Sequence, residues 1–302
     1  MAAKSQKKAT SSKTGAQGVR SHQHPLIALL TDFGWDGWYV AAMKGVMKSI
    51  CPECEILDLT HGISPHAVAE AALILNTSQR YFPEGTIFVS VVDPGVGTTR
   101  EPIIACADGK FFIAPNNGLL GLVMQSAKKF ECRLISNSKY FLPEVSSTFH
   151  GRDIFAPVAA HLACGVDWKT IAPQKTECFR LAQVAASYDR GFIEGNIIYF
   201  DRFGNAITNI TRELFNESFC SPKKEKSRKA TQSEPAVAIY VGKYTLPRIH
   251  KTFADVKPGE PLAYWGSMGT LEIGINLGNA RSLMELRPLD KVTVKKVGEY
   301  AA

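Results

Sequence analysis

Apolar positions follow two alternating periods along roughly the first 190 residues. Short apolar runs read as strands: Pro25-Leu26-Ile27-Ala28-Leu29-Leu30-Thr31, Glu55-Ile56-Leu57-Asp58-Leu59 and Thr86-Ile87-Phe88-Val89-Ser90-Val91-Val92. Between them, residues 38–49 and 67–80 carry apolar side chains at helical spacing, the second helix opening at Ser64-Pro65 in an N-cap and first-turn arrangement. Asp108-Gly109 separates Ile103-Ile104-Ala105-Cys106-Ala107 from Lys110-Phe111-Phe112-Ile113-Ala114, a strong signal for a two-residue hairpin. Further helices are expected near residues 119–125 and 154–164, with His150 in the loop before the latter. Strands alternating with helices predict an α/β/α layered unit, residues 25–187, with a largely parallel sheet and one antiparallel hairpin.

Beyond about Tyr188 the pattern changes. Runs such as Gly195-Asn196-Ile197-Ile198-Tyr199-Phe200, Ala236-Val237-Ala238-Ile239-Tyr240-Val241 and Lys291-Val292-Thr293-Val294 are separated by Gly, Pro and Asn, and helical periodicity is nearly absent. This predicts a smaller antiparallel, barrel-like β domain over residues 190–298, interrupted by a polar loop at 216–234.

Charge then narrows the classes of function. The 302-residue chain is 45% hydrophobic and carries a net charge of +7. Residues 1–24 hold Lys4, Lys7, Lys8, Lys13 and Arg20 with no acid. The polar loop adds Lys223, Lys224, Lys226, Arg228 and Lys229 against Glu217, Glu225 and Glu234. These two segments hold the whole excess, so the rest is formally neutral and no basic face for nucleic acid is indicated. The acid-free N-terminus reads as a disordered basic extension, with a transit peptide as the second reading. No apolar run reaches eighteen residues, which excludes a transmembrane helix and predicts no membrane partner. Seven scattered cysteines without a signal-peptide pattern point to free thiols in a reducing, cytoplasmic compartment. Cys51-Pro52-Glu53-Cys54 fits redox chemistry, half a zinc site or a plain turn; no second ligand pair completes a metal set, so no metal is expected.

The chemistry-bearing residues sit in two glycine-bearing segments, Val91-Val92-Asp93-Pro94-Gly95-Val96-Gly97-Thr98-Thr99-Arg100 and Ser147-Thr148-Phe149-His150-Gly151-Arg152-Asp153. Asp93 ends a buried parallel strand, where open α/β sheets bind ligands, and the Pro94-Gly95 turn brings Arg100 back toward it. A carboxylate, a permanent cation and an imidazole can together orient and polarise a water molecule. The competing reading is a turn-capping Asp93 paired with a surface Arg100.

With Leu30-Thr31-Asp32-Phe33-Gly34, Asp58-Leu59-Thr60-His61 and Phe200-Asp201-Arg202-Phe203-Gly204-Asn205, these segments resemble the S-adenosyl-L-methionine (SAM) hydroxide adenosyltransferase family, five blocks in the same order. Members are SAM hydrolases, and their relatives are SAM-dependent fluorinases and chlorinases. The resemblance implies conversion of SAM and water to adenosine and L-methionine, a nucleophilic substitution at the ribose 5′ carbon, with SAM as substrate and no cofactor. It implies Asp93, Arg100 and His150 as catalytic residues, with either Asp93 or His150 taking the proton. It also implies that Asp32 holds the ribose hydroxyls; the competing reading is an N-cap for the following helix, and the two uses are compatible. Asp201 would pair with the methionine ammonium, Asn205 would read the adenine edge and Ser267 would donate to the methionine carboxylate. Phe253 is either an adenine-stacking ring or core, and His66 lines the pocket without catalysing. His61 reads as a hydrogen-bonded structural residue. The chain departs from the halogenases at three places. Asp93 stands where they carry tyrosine, His150 where they carry a second tyrosine, and Met268 where they carry arginine. At ~4 Å a carboxylate would repel a halide by roughly 4 kcal/mol at an effective dielectric of 20, so Asp93 favours water. The resemblance further implies a homotrimer whose sites lie between neighbouring subunits. A halogenase and a SAM- or adenosine-binding sensor without turnover are the alternatives.

Overall fold

The computed structural model describes residues 25–181, 185–220 and 235–297. The basic extension and residues 221–234 of the expected polar loop lie outside the described residues.

The first sheet has seven strands: β1 (Leu26–Thr31), β2 (Glu55–Thr60), β3 (Ile87–Val91), β4 (Pro102–Ala107), β5 (Lys110–Pro115), β6 (Phe130–Leu134) and β7 (Gln174–Lys175). Their spatial order is β2-β1-β3-β5-β4-β6-β7. The first four strands in that order are mutually parallel, whereas β4, β6 and β7 run antiparallel to their neighbours. The antiparallel part thus extends past the expected hairpin. That hairpin is present: Asp108 and Gly109 both take positive φ, as a two-residue turn with the twist of its strands requires.

Helices α1 (Tyr39–Ile50), α2 (Val68–Ser78), α3 (Gly121–Ser126), α4 (Ala156–Ala163) and α5 (Trp168–Ile171) flank this sheet. Successive strand residues point to opposite faces. Ile27 and Leu29 therefore pack with Met43 and Met47 of α1 and Ala159 of α4, while Ala28 and Leu30 pack with Leu75 of α2 and Leu120 and Val123 beside or in α3. Burial on both faces explains why β1 and β3 read as continuous apolar runs.

Two helices start elsewhere than the pattern suggested. α2 begins at Val68, because Ser64-Pro65-His66 is a turn in which Ala67 donates to the Ser64 carbonyl (3.0 Å) and His66 sits at φ 67°. The helix after His150 begins earlier, with a wide π-type turn over Gly151–Phe155 that runs into α4. The Cys51–Cys54 segment closes a turn at the end of α1, Cys54 N–H donating to the Cys51 carbonyl (3.2 Å), and burial pushes the Cys54 thiol up to about 11.

The second sheet comprises β8 (Ser187–Asp189), β9 (Phe192–Phe200), β10 (Ala206–Thr211), β11 (Val237–Val241), β12 (Tyr244–Leu246), β13 (Ile249–His250), β14 (Pro261–Trp265), β15 (Thr270–Ile275) and β16 (Lys291–Lys296). It curls in the order β12-β11-β16-β9-β10-β15-β14-β13, antiparallel except for the β13–β14 pair. It also carries a helix that the periodicity did not reveal, α6 (Arg212–Phe219), capped by Thr211 and covering the first residues of the expected loop. Leu73 of α2 packs with Ile198 and Ile207 and with the half-buried Met268, joining the two sheets' layers. Among the described residues, no helix is long and apolar enough to cross a membrane.

Candidate active site

The chain passes from β1 through α1 to β2 on one side, then through α2 to β3 on the other. The carboxyl ends of β1 and β3 thus flank a topological switch point, the usual ligand site of an open α/β sheet. Thr31 is paired with Val91, so Asp32 and Asp93 leave the sheet side by side.

The loop after Asp93 folds back through two turns. Val96 N–H donates to the Asp93 carbonyl (3.2 Å) and Thr98 Oγ1 donates to the Gly95 carbonyl (2.7 Å). This returns Arg100 so that its Nε lies 2.9 Å from Asp93 Oδ1, which also accepts Gly95 N–H at 3.1 Å. Glycine is required at two places. A Cβ on Gly95 would occupy the volume of the Arg100 guanidinium, and one on Gly97, at φ 78°, would strike the Ser147 carbonyl oxygen. The two motif loops therefore touch backbone to backbone at Gly97.

The second loop is held by Asp153, which is fully buried. Its carboxylate accepts Arg152 Nε (2.6 Å) and Nη2 (3.1 Å) and Ser146 N–H (2.8 Å). Burial alone would raise the Asp153 carboxyl, but these donors hold it below the usual range. His150 immediately precedes the π-type turn, with no side-chain cap hydrogen bond to it, and faces the same cavity as Asp93.

That cavity encloses about 310 Å³ and is lined by Asp32, His66, Asp93, His150 and an aromatic wall that includes Tyr39 and Phe149. Burial raises the Asp93 carboxyl above its ordinary value. The Gly95 N–H, Arg100 and His150 offset this in part, and the Asp32 carboxylate adds to it. The Asp93 side chain is only 7% exposed, and among the described residues its Oδ2 accepts no hydrogen bond. This oxygen remains available to orient a water.

Asp32 does not cap α1, whose N-terminal Trp38 has no side-chain cap. Its Oδ2 instead accepts the His66 N–H at 2.9 Å, holding the positive-φ turn that puts His66 in the cavity wall. His61 is completely buried: it shares a 2.8 Å hydrogen bond with Thr31 Oγ1, and its Nε2 lies 3.0 Å from Asp58 Oδ1. Lys44 of α1 completes this brace at 2.6 Å from Asp58 Oδ2.

The remaining site residues lie in the second sheet. Asp201 accepts the N–H groups of Phe203 (2.9 Å) and Asn205 (2.8 Å) and the Asn205 Nδ2 (2.9 Å), so its carboxylate builds the turn. Asn205 and Phe253 line a second cavity of about 570 Å³, rimmed by the exposed Phe203 and Leu277. Ser267 lines a third, of about 200 Å³. Within one chain the structure thus brings together Asp32, His66, Asp93, Arg100 and His150, and separately Asn205 and Phe253. Sequence reasoning missed the aromatic wall: Phe149 meets Tyr39 at 5.0 Å and Trp38 at 5.5 Å between ring centroids. Its signal was the crowding of Phe33, Trp35, Trp38 and Tyr39 into one glycine-bearing turn.

Residues 27–172 match the SAM hydroxide adenosyltransferase N-terminal domain, and residues 195–293 match the C-terminal domain of the same family. The chain is 34% identical to a (R)-S-adenosyl-L-methionine hydrolase of Thermus thermophilus over 86% of its length and 96% of the relative's. It is 31% identical to a fluorinase of an Actinoplanes species, covering 90% of this chain and 98% of that one. A crystal structure of an uncharacterized conserved protein from Thermotoga maritima superposes with a TM-score of 0.77 at 34% identity, covering 89% of this chain and all of that one. The chain belongs to the SAM hydroxide adenosyltransferase family.

Proposed function

We propose that this protein hydrolyses SAM: water attacks the ribose 5′ carbon, the C–S bond breaks with its electron pair going to sulfur, and adenosine, L-methionine and one proton result. Asp93, which lines the cavity beside His150 and is ion-paired with Arg100 at 2.9 Å, carries this reading. The sulfonium leaves as a neutral thioether, so the chemistry needs no general acid or cofactor for the leaving group. What it needs is a positioned water with partial hydroxide character. Arg100 supplies the cationic field, Asp93 orients the water through Oδ2, and Asp93 or His150 accepts its proton. Asp32 holds the ribose hydroxyls with the oxygen not used by His66, and His66 lines the pocket.

The N-terminal α/β domain, residues 25–187, would carry this chemistry, and the C-terminal β domain, 190–298, would hold the rest of the substrate. Asp201 pairs with the methionine ammonium, Asn205 reads adenine, Phe253 stacks on it, and Ser267 donates to the carboxylate. Asn205, Phe253 and Ser267 line cavities apart from Asp93 within one chain, which supports a homotrimer whose sites join one subunit's first domain to its neighbour's second. All seven cysteines are free, which supports a reducing, cytoplasmic location.

Fluorinase relatives make halide transfer the second reading. Two carboxylates in the cavity, Asp32 and Asp93, disfavour an anionic nucleophile. Incubation of the purified protein with SAM, with and without chloride and fluoride, separates the readings. Adenosine formation independent of halide and abolished in Asp93→Ala and His150→Ala is expected. A halogenated nucleoside would transfer the assignment to the halogenases, and bound SAM without product would make this a sensor.

A further inference from the structure

Cys132 of β6 and Cys178, three residues beyond β7, line one cavity of about 450 Å³ together with Met124, Lys175 and Arg180. This cavity shares no lining residue with the one that contains Asp93. The β6–β7 register pairs Arg133 with Lys175, and Thr176 N–H donates to the Cys132 carbonyl at 3.1 Å, so the chain leaving β7 runs alongside Cys132. Side chains two residues apart on an extended chain share a face, which brings Cys178 round to the side of Cys132. The two thiols are hydrogen-bonded to each other. Cys132, only 6% exposed, belongs to the core cluster of Leu120 and Val123, and the half-buried Cys178 packs against that cluster.

The two sulfurs are unequal. The hydrogen bond from Cys132, helped by the Arg180 cation, holds the Cys178 thiol below its ordinary value against the opposing effect of burial. The same hydrogen bond and burial push the Cys132 thiol far above its ordinary value. The thiolate is the reactive form, so Cys178 is the nucleophile of the pair and Cys132 its protonated neighbour. Exposure alone would select a different residue. Cys164 is exposed, yet its hydrogen bond with Cys51, together with burial, pushes it up to about 11. A half-buried thiol with thiolate character, touching a buried second thiol in an open cavity, has the arrangement of an attacking and a resolving cysteine.

We propose that Cys132 and Cys178 form a reversible disulfide when hydrogen peroxide enters this cavity. The Cys178 thiolate attacks one peroxide oxygen: an S–O bond forms, the O–O bond breaks, and the departing hydroxide takes up the proton that Cys178 released, giving water and a sulfenic acid. The Cys132 sulfur then attacks the sulfenic sulfur. The S–S bond forms, the S–O bond breaks, and hydroxide leaves with the Cys132 proton as a second water. The two thiols lose two electrons in all, and the peroxide gains them. The bond fastens to β6 the strap that follows β7, whose Phe179 N–H donates to Asn116 Oδ1 (2.8 Å) and whose Glu177 carbonyl accepts Asn116 Nδ2 (2.9 Å). Asn116 N–H in turn donates to the carbonyl of Glu101, the residue after Arg100, at 2.9 Å.

The test is peroxide titration of the reduced full chain, alkylation of the remaining thiols with iodoacetamide, and peptide mass spectrometry. The expected product is a linked pair of peptides carrying Cys132 and Cys178, short of two hydrogens, formed before Cys164 is oxidised and undone by dithiothreitol. Without peroxide, iodoacetamide should modify Cys178 at least about tenfold faster than Cys164 at neutral pH. In Cys132→Ala the sulfenic acid on Cys178 has no resolving thiol, so dimedone should trap it at least about tenfold above wild type. Cys178→Ser should abolish the link, and the oxidised wild type should unfold at a higher urea concentration than oxidised Cys178→Ser. The wild-type linkage and Cys178→Ser decide the matter even if Cys132→Ala does not fold. Alkylation or oxidation of Cys164 ahead of Cys178, a Cys51–Cys164 link formed first, or a wild-type Cys178 carried to the sulfinic acid without any link overturns the proposal.

Discussion

Burial holds the Asp93 carboxyl above the ordinary carboxylate range even though Arg100 lies 2.9 Å away. A carboxyl raised in the folded state binds its proton more readily there than in the unfolded chain. The stability this confers is present at low pH and is lost as pH rises from the unfolded value through the folded one. At neutral pH the ionised Asp93 is therefore destabilising, and Asp93→Asn should keep or raise the melting temperature while cutting turnover at least ~100-fold. The wild-type kcat profile should lose activity on acidification at a pH above that of an ordinary aspartate. A melting temperature well below wild type in Asp93→Asn would show the residue to be structural instead. Gly95→Ala tests the neighbouring ion pair: the added Cβ displaces the Arg100 guanidinium, so kcat should fall with little change in unfolding midpoint. Asp93, Arg100 and His150 were legible in the sequence because their segments combine chemistry with turn residues. The uses of Asp32 and Asp201 were less so, since backbone N–H groups 34 residues away for one and within four for the other occupy their oxygens.

Strands β1 and β3 were readable because burial on two faces writes itself as an apolar run. The start of α2 was not. Ser64-Pro65 has the local chemistry of a helix start, but the Asp32 carboxylate captures the His66 N–H and keeps the chain turned for three more residues. A π-type turn at Gly151–Phe155 was likewise invisible to a 3.6-residue period, and α6 is only eight residues long. At this scale the His61 brace is the testable element. It joins the ends of β1 and β2 through Thr31 and Asp58, and Lys44 ties Asp58 to α1. His61→Leu should lower the unfolding free energy by about 1–3 kcal/mol, the cost of a buried polar group losing its partner, measured by urea denaturation. An unchanged midpoint would mean that Thr31 and Asp58 find other partners. Because Asp32 follows Thr31 directly, the KM for SAM should rise as well.

The proposed assembly can be tested by subunit complementation. Asp93→Ala disables the first domain's contribution and Asn205→Ala the second's. If each site joins two subunits, trimers assembled randomly from equal amounts of the two variants should recover about a quarter of wild-type activity. Sites confined to single chains would give no recovery, and a monomer in sedimentation would remove the assembly altogether. The sequence by itself determined the alternation of strand and helix, the change to a β-rich second half, the hairpin at Asp108-Gly109 and the two loops that carry Asp93, Arg100 and His150. These are local properties, fixed by periodicity, turn chemistry and strand ends. Only the tertiary structure decided that Asp32 and Asp93 emerge as neighbours, that aromatic rings wall their cavity, that Ser267 lies apart from Asn205, and that Cys132 shares a cavity with Cys178. Each depends on the order and register in which distant strands pair, and on which helix then covers them, a long-range choice that no short stretch of sequence records.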